Sequence, residues 1–327
     1  MNECIEREIG GYMELEHFRG REYHSGALRF HSARGAIRFA VTSRKKELVY
    51  LPLFLCGSVA QELTGAGIQV QTYAIGDDLL PEAAFAPKKD GAVLVVNYFG
   101  QLGNETISRL KQRFPDLIVD NVQAFFQPPA PGVDTVYSCR KYFGVPDGAY
   151  LYTDLPRGDY DRLPMAASAG WMAHLTGRYE QGAEKNYRHF QENEERLSTM
   201  PLCRMSALAM DLLRAVDHVD CIRRRERNFR ALERELGRWN GFTVKNCAGA
   251  FMYPLLVDQA PKLRELLIAK KIYVPRLWPR LSGRAEEGSL EARLADKILW
   301  LPIDQRYGEA EMGYIADQIK NTGIVKG

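Results

Sequence analysis

The chain has 327 residues, 46% hydrophobic and 26% charged, enough for about two domains with a sizeable core and without a signature of wholesale disorder. Its 44 Lys and Arg against 41 Asp and Glu leave a net charge of +3, too balanced to argue for a polyanion partner, so nucleic acid is not an expected partner. No apolar run reaches the length of a membrane span, and the acidic start lacks the basic-then-apolar pattern of a secretion signal. The six cysteines form no C-x-x-C pair and stand in no short spacing to histidine. Free thiols in a reducing cytoplasm are expected, with no disulfide and no metal site.

Taken in order, residues 1–24 form a polar arm with Gly10-Gly11 and three aromatics, Tyr12, Phe18 and Tyr23, suited to docking on the body or on a second subunit. Ser32 is placed to cap a helix whose first turn contains Gly35 and Ala36. A helix start with small residues and a hydroxyl is a ready anion site, because its free N–H groups point outward. Apolar runs at 48–55, 68–75, 92–97 and 117–120 read as strands, with helices over 57–64 and 104–113 between them, the second capped by Asn104. Such alternation predicts a mostly parallel sheet. Two more strands, 133–137 and 149–152, follow.

Residues 155–200 lose this rhythm and read as a helical, partly mobile insertion with no assigned chemical task. From Pro201 a long helical passage is expected, with Leu208, Leu212, Ala215 and Val219 on one face and Ile222, Phe229, Leu232 and Leu236 on another. Arg223, Arg224, Arg225 and Arg227 are read as its wet face, interleaved with Glu226 and Glu233. Past Gly241 strands are expected at 242–245, 250–257 and 298–302, with helices over 261–271, capped by Asp258, and 309–320. The fold class is therefore α/β, a large, mostly parallel-sheet domain over 1–215 and a smaller α+β domain over 216–327.

Asp120 ends the apolar strand 117–120, Gln123 follows, and Lys141 stands between Tyr-Ser-Cys-Arg and Gly-Val-Pro-Asp-Gly. Singly, an aspartate after a strand is a turn residue and a loop lysine is solvated. In this order they match what pyridoxal phosphate requires: a carboxylate against the ring nitrogen at the carboxyl end of a sheet, and an amine for the Schiff base. Other motifs fare worse. Ser138-Cys139-Arg140-Lys141 fits S-x-x-K, but S-D-N and K-T-G partners are missing. Gly65-Ala66-Gly67 lacks a third glycine and precedes a strand; there is no P-loop and no H-E-x-x-H. The six histidines stand alone and read as structural.

The arrangement resembles the fold type I pyridoxal phosphate enzymes, specifically the DegT/StrS-type sugar aminotransferases, along nearly the whole chain. Ser32-Ala33-Arg34-Gly35-Ala36 stands for that family's Ser-Gly-Thr-Ala-Ala phosphate loop, and 53–58, with Cys56, for the strand end near the cofactor ring. Asn97-Tyr98-Phe99-Gly100-Gln101 matches His-x-Tyr-Gly-Gln, and Asp120-Asn121-Val122-Gln123-Ala124 matches Asp-Ala-Ala-Gln-Ala. Lys141 with Asp147-Gly148-Ala149 matches the lysine followed by Gly-Glu-Gly-Gly, and Arg204-Met205-Ser206 matches part of Tyr-Arg-Met-Ser.

The resemblance implies a homodimeric, cytoplasmic aminotransferase that moves an amino group from a donor, glutamate by analogy, to a keto sugar, nucleotide-linked in the family. Asp120 would pair with the pyridinium nitrogen and Gln123 would lie near the ring or its phenolic oxygen. Ser32, Ala33, Arg34 and Gly35 with Ser138 would hold the phosphate, and Lys141 would carry the Schiff base and shuttle protons. Lysine, where family members that dehydrate sugars have histidine, favours amino transfer. Arg34, Arg140, Arg276 and Tyr98 are candidates for the substrate. The chain departs from the pattern at Arg34 (Thr in the family), at Val136 with Ser138 nearer the lysine, at Asn97 (His), and at Leu202, where a neighbouring subunit's asparagine often reaches the phosphate. Two other readings stay open: a pyridoxal phosphate enzyme acting on a small amino acid, and a cofactor-binding regulatory or scaffold protein with little turnover.

Overall fold

The computed structural model describes residues 10–278, 281 and 285–325; Cys4 and the first nine residues of the arm lie outside them. Among the described residues the sheet has seven strands in the order β1-β7-β6-β5-β4-β2-β3: β1 Leu28–Phe30, β2 Leu48–Pro52, β3 Gln69–Tyr73, β4 Ala92–Val96, β5 Leu117–Asp120, β6 Asp134–Ser138 and β7 Ala149–Tyr152. From β3 to β6 all neighbours run parallel. The strands β2, β4 and β5 are buried at every position, as expected of β-branched and aliphatic runs covered on both faces. At the edge, β3 turns Gln69, Gln71 and Thr72 outward, which blunts pairing with other chains.

The helices α1 Ala33–Ser43, α2 Gly57–Gly65 and α3 Asn104–Arg113 connect this sheet, close to the expected spans. Ser32 caps α1, its Oγ accepting from the Gly35 N–H at 3.2 Å. Asn104 does not cap α3: Gly103 does, because the Asn104 side chain accepts from Gln127 Nε2 at 3.1 Å. β7 returns antiparallel to β6, since the short turn between them cannot make a parallel crossover, and β1 pairs antiparallel with β7 as an unforeseen edge strand.

The segment after β7 is helical as expected, with α4 Gly158–Asp161, α5 Ala173–Gln181 and α6 Tyr187–Thr199. The passage from Pro201 is broken into α7 Ala207–Arg214 and α8 His218–Leu236. Its first expected face is corrected: Ala209 and Leu213 are buried whereas Val219 is 77% exposed, because the break before the Asp217 cap changes the phase. Phe229, Leu232 and Leu236 are buried as read. Arg223 and Arg224 are wet and pair with Asp220, but Arg225 is buried.

The C-terminal α+β unit contains a two-stranded antiparallel sheet of β8 Met252–Leu256 and β9 Ile298–Pro302, with α9 Ala260–Ala269, α10 Leu290–Lys297 and α11 Glu309–Asn321. No strand forms over 242–245; instead the Gln101 side chain accepts from the Lys245 N–H at 2.7 Å and donates to its carbonyl at 2.9 Å, acting as a strand neighbour would. Asp258 is not the cap of α9, because Lys297 Nζ holds its carboxylate at 2.8 Å and Gln259 takes the cap position. Of the arm, Tyr12 and Met13 are exposed, while Glu22 and His24 are buried. A Cβ on Gly20 would meet the Arg214 carbonyl oxygen at 2.0 Å, so only glycine lets the arm lie this close to the end of α7.

Candidate active site

Asp120 sits at the C-terminal end of β5 with parallel neighbours on both sides, where the crevice of an open sheet forms. It is 2% exposed, and its Oδ1 accepts from the Val122 N–H at 2.9 Å. Burial pushes its carboxyl up to about 6, against the Val122 hydrogen bond and the Lys141 ammonium, which draw it down.

Lys141 closes the single-turn 3₁₀ segment Cys139–Lys141 that follows β6. Burial lowers its pKa; Asp120 is the charge that most opposes this, Cys56 also favours the ammonium, and Arg140 disfavours it. The structure thus brings Asp120, Lys141, Cys56 and Arg140 into one electrostatic neighbourhood. The Phe251 ring lies under the lysine with its centroid 5.4 Å from Nζ. Gln123 is fully buried; its Oε1 accepts from the Phe99 N–H at 3.0 Å, and its Nε2 has no partner.

The start of α1 lies on the other side. His31 donates from Nδ1 to the Cys203 carbonyl at 3.1 Å, which leaves Nε2 to accept the Ser32 hydroxyl, also at 3.1 Å. Burial lowers the His31 pKa, keeping it in this neutral form. Ser32 is therefore engaged twice, and the free donors here are the first main-chain amides of the helix, at Ala33 and Arg34, ahead of the bond from the Ala36 N–H to the Ser32 carbonyl. A Cβ on Gly35 would meet His31 Cε1 at 2.8 Å and Leu202 Cδ1 at 3.2 Å, so Leu202 packs on this loop from within the same chain. Ser138, 8% exposed, ends β6. Cys56 stands at the cap of α2 with Sγ 3.1 Å from Ser58 Oγ, near both Arg34 and Lys141.

Two residues singled out from the sequence have other partners. Tyr98 is 1% exposed, donates its hydroxyl to the Phe54 carbonyl and packs against Phe54 and Trp278, so it belongs to the core. Arg276 lies on the surface of the C-terminal unit, paired with Asp296 at 2.7 Å. The sequence reading passed over Phe251, Arg225 and Gln305. Arg225 donates to the carbonyls of Ala250, Phe251 and Tyr142, and Gln305 also donates to that of Tyr142, the residue after the lysine. A buried arginine inside a basic run carries no mark that separates it from its wet neighbours.

No family model and no curated protein matches the chain. Solved structures match in fold. DesV from S. venezuelae superposes with a TM-score of 0.63 at 18% identity, over 90% of this chain and 84% of its own. The sugar aminotransferase CalS13 from Micromonospora echinospora gives 0.62 at 15%, over 90% and 87%. A DegT DnrJ EryC1 StrS aminotransferase from Brucella abortus gives 0.60 at 16%, over 91% and 86%. The seven-stranded, mostly parallel sheet followed by a small α+β unit is thus the aminotransferase fold of type I.

Proposed function

We propose that the chain is a pyridoxal phosphate-dependent aminotransferase of the DegT/StrS type, moving an amino group from an amino acid, glutamate by family analogy, to a keto sugar carried on a nucleotide. The single observation that carries this is the meeting of buried Asp120 and Gln123 with half-buried Lys141: a carboxylate with one described hydrogen bond, an amide nitrogen with none, and an amine electrostatically coupled to the carboxylate. The residues fit the coenzyme, for the unpartnered Gln123 Nε2 beside the Asp120 carboxylate and the Lys141 amine answers its polar groups. The structural neighbours, sugar aminotransferases among them, support the same reading.

Bound coenzyme supplies an aldehyde carbon and an electron-accepting ring. Asp120 would hold the proton on the ring nitrogen, since a cation beside it relieves the cost of its buried charge. The Gln123 Nε2 would donate to the ring's oxygen while Oε1 stays fixed by Phe99. The α1 amides, Arg34 and Ser138 would receive the phosphate. Lys141, whose neutral amine burial favours, would take and return the proton at the substrate carbon.

We place the domain division at 215/216, in the break between α7 and α8. We also place the enzyme in the cytoplasm as a homodimer. No helix among the described residues is long and apolar enough to cross a membrane, and the five described cysteines are free thiols. Exposed Tyr179, Tyr187 and Phe190 on α5 and α6 offer apolar surface for a second copy.

Adding pyridoxal phosphate should raise a visible absorption band that borohydride fixes onto Lys141, located by peptide mapping. Glutamate should then discharge the band and release 2-oxoglutarate. A protein that stays colourless, or a band that no amino donor discharges, rejects the proposal.

A further inference from the structure

The turn at the carboxyl end of β4 holds Phe99 in a conformation that an aromatic residue rarely takes. Its φ is +57° and its ψ 11°, in the left-handed region, and Gly100 follows with φ +73°. The ends of the turn are pinned together, for Asn97 Oδ1 accepts from the Leu102 N–H at 2.8 Å, so neighbouring residues are not free to absorb the strain.

The strained residue is gripped at its ring, its carbonyl and its amide. The ring, 4% exposed, packs on Phe242 and Trp300 with centroids 5.2 and 5.0 Å away. The carbonyl accepts from Gln101 Nε2 at 3.1 Å and from Cys247 Sγ at 3.4 Å, and the N–H donates to Gln123 Oε1 at 3.0 Å. Phe242, Cys247 and Trp300 all lie beyond α8, in the C-terminal unit, and Gln101 is itself tied to Lys245 there. A Cβ on Gly100 would meet Cys247 Sγ at 2.6 Å, so the turn and that unit touch closely.

The two ends of a carboxamide have nearly the same shape, and the hydrogen bonds around them decide which end is oxygen. Turned end for end, Gln123 would set its NH₂ against the Phe99 N–H, donor facing donor, and would put an acceptor where the buried, unpartnered Nε2 now stands. The amide of Phe99 therefore selects one of the two orientations.

We infer that Phe99 is a positioning residue through which the C-terminal unit fixes the direction of the Gln123 carboxamide. The clamped ring and carbonyl hold the left-handed backbone, and that backbone aims the N–H that keeps Nε2 available as a donor. The inference deepens the aminotransferase reading and rests on it only for the acceptor that Nε2 meets, the coenzyme ring's oxygen. Seating of the C-terminal unit and retention of the coenzyme then favour one another.

The test compares Phe99→Ala, Phe99→Gly and Cys247→Ala in the full chain, with Gln123→Leu as the reference for a lost donor. In the coenzyme-free chain, ¹⁵N-labelled glutamine reports the Gln123 side-chain amide by NMR. The parent and Phe99→Gly should show one ordered pair of signals and Phe99→Ala a broadened or doubled pair, because glycine takes a positive φ without the ring's help and alanine does not. A ring that only packs would leave the two Phe99 variants alike at Gln123. With pyridoxal phosphate added, Phe99→Ala should bind it roughly three- to tenfold more weakly, and the pH midpoint of the coenzyme band should move in the same direction as in Gln123→Leu. Signals in Phe99→Ala that match the parent, or that match Phe99→Gly, would overturn the inference. Should the Phe99 variants fail to fold, Cys247→Ala decides: perturbed Gln123 signals support the inference and parent-like signals overturn it. A chain whose Gln123 responds in this way yet forms no reducible adduct sinks the aminotransferase reading and keeps the positioning role.

Discussion

Asp120 and Lys141 govern one another's protonation without a hydrogen bond or ion pair joining them: the carboxylate is the charge that most favours the ammonium, and the ammonium draws the carboxyl down from where burial puts it. Lys141→Ala should therefore push the Asp120 carboxyl further above about 6, because the opposing cation is gone while the burial remains. NMR titration of the Asp120 carboxyl carbon reads this directly. The same variant should lose the borohydride-fixed adduct and at least about a thousandfold in turnover.

The Asp120 shift has a sign that stability measurements can check. Between 3.8 and about 6 the folded chain keeps a proton that the unfolded chain has released, so this group's contribution falls as pH rises through that window. The loss amounts to about 3 kcal/mol and is complete above it. His24, buried and lowered from 6.5 to about 4, works the other way, costing stability as pH falls. The parent profile sums both, so the informative quantity is the difference: Asp120→Asn should gain on the parent chain as pH rises from 4 to 7, in urea unfolding at each pH. Saturating pyridoxal phosphate should abolish that gain.

Gly148 joins the lysine turn to the start of α1, its N–H donating to the His31 carbonyl at 2.8 Å and its carbonyl accepting from the Cys139 N–H at 3.1 Å. Its φ is +130°, and a Cβ would lie 3.2 Å from Cys139 and 3.3 Å from Met205. Gly148→Ala should cost about 1–3 kcal/mol in urea unfolding and displace the band of bound coenzyme. A neutral variant would show that the turn yields freely.

Arg225 satisfies carbonyls that no other described side chain but Gln305 reaches. Arg225→Met should cost about 3 kcal/mol or more, because buried acceptors lose their donor. Lysine at this position should restore little, since one ammonium cannot span three carbonyls. Chemical denaturation with both variants decides it.

What the sequence made legible follows from period and chemistry. β5 was read to the residue because Leu117, Ile118 and Val119 are wholly buried and Asp120 marks the strand's end. Ser32 was legible as a cap because local spacing alone sets that bond. The break after Arg214 was not, because the apolar spacing of α7 runs on into α8 while the phase shifts at the Asp217 cap. Asn104 and Asp258 failed as caps because distant partners, Gln127 and Lys297, claimed their side chains. At the site, Asp120, Gln123 and Lys141 were visible as an ordered set, whereas Phe251 looked like any strand residue and Tyr98 gave no sign that its hydroxyl turns inward.

Gln101 grips both main-chain groups of Lys245, and Arg225 with Gln305 grips the carbonyl of the residue after Lys141. The C-terminal unit is in this way stitched to the loop it covers, and swinging it outward would tear several bonds at once.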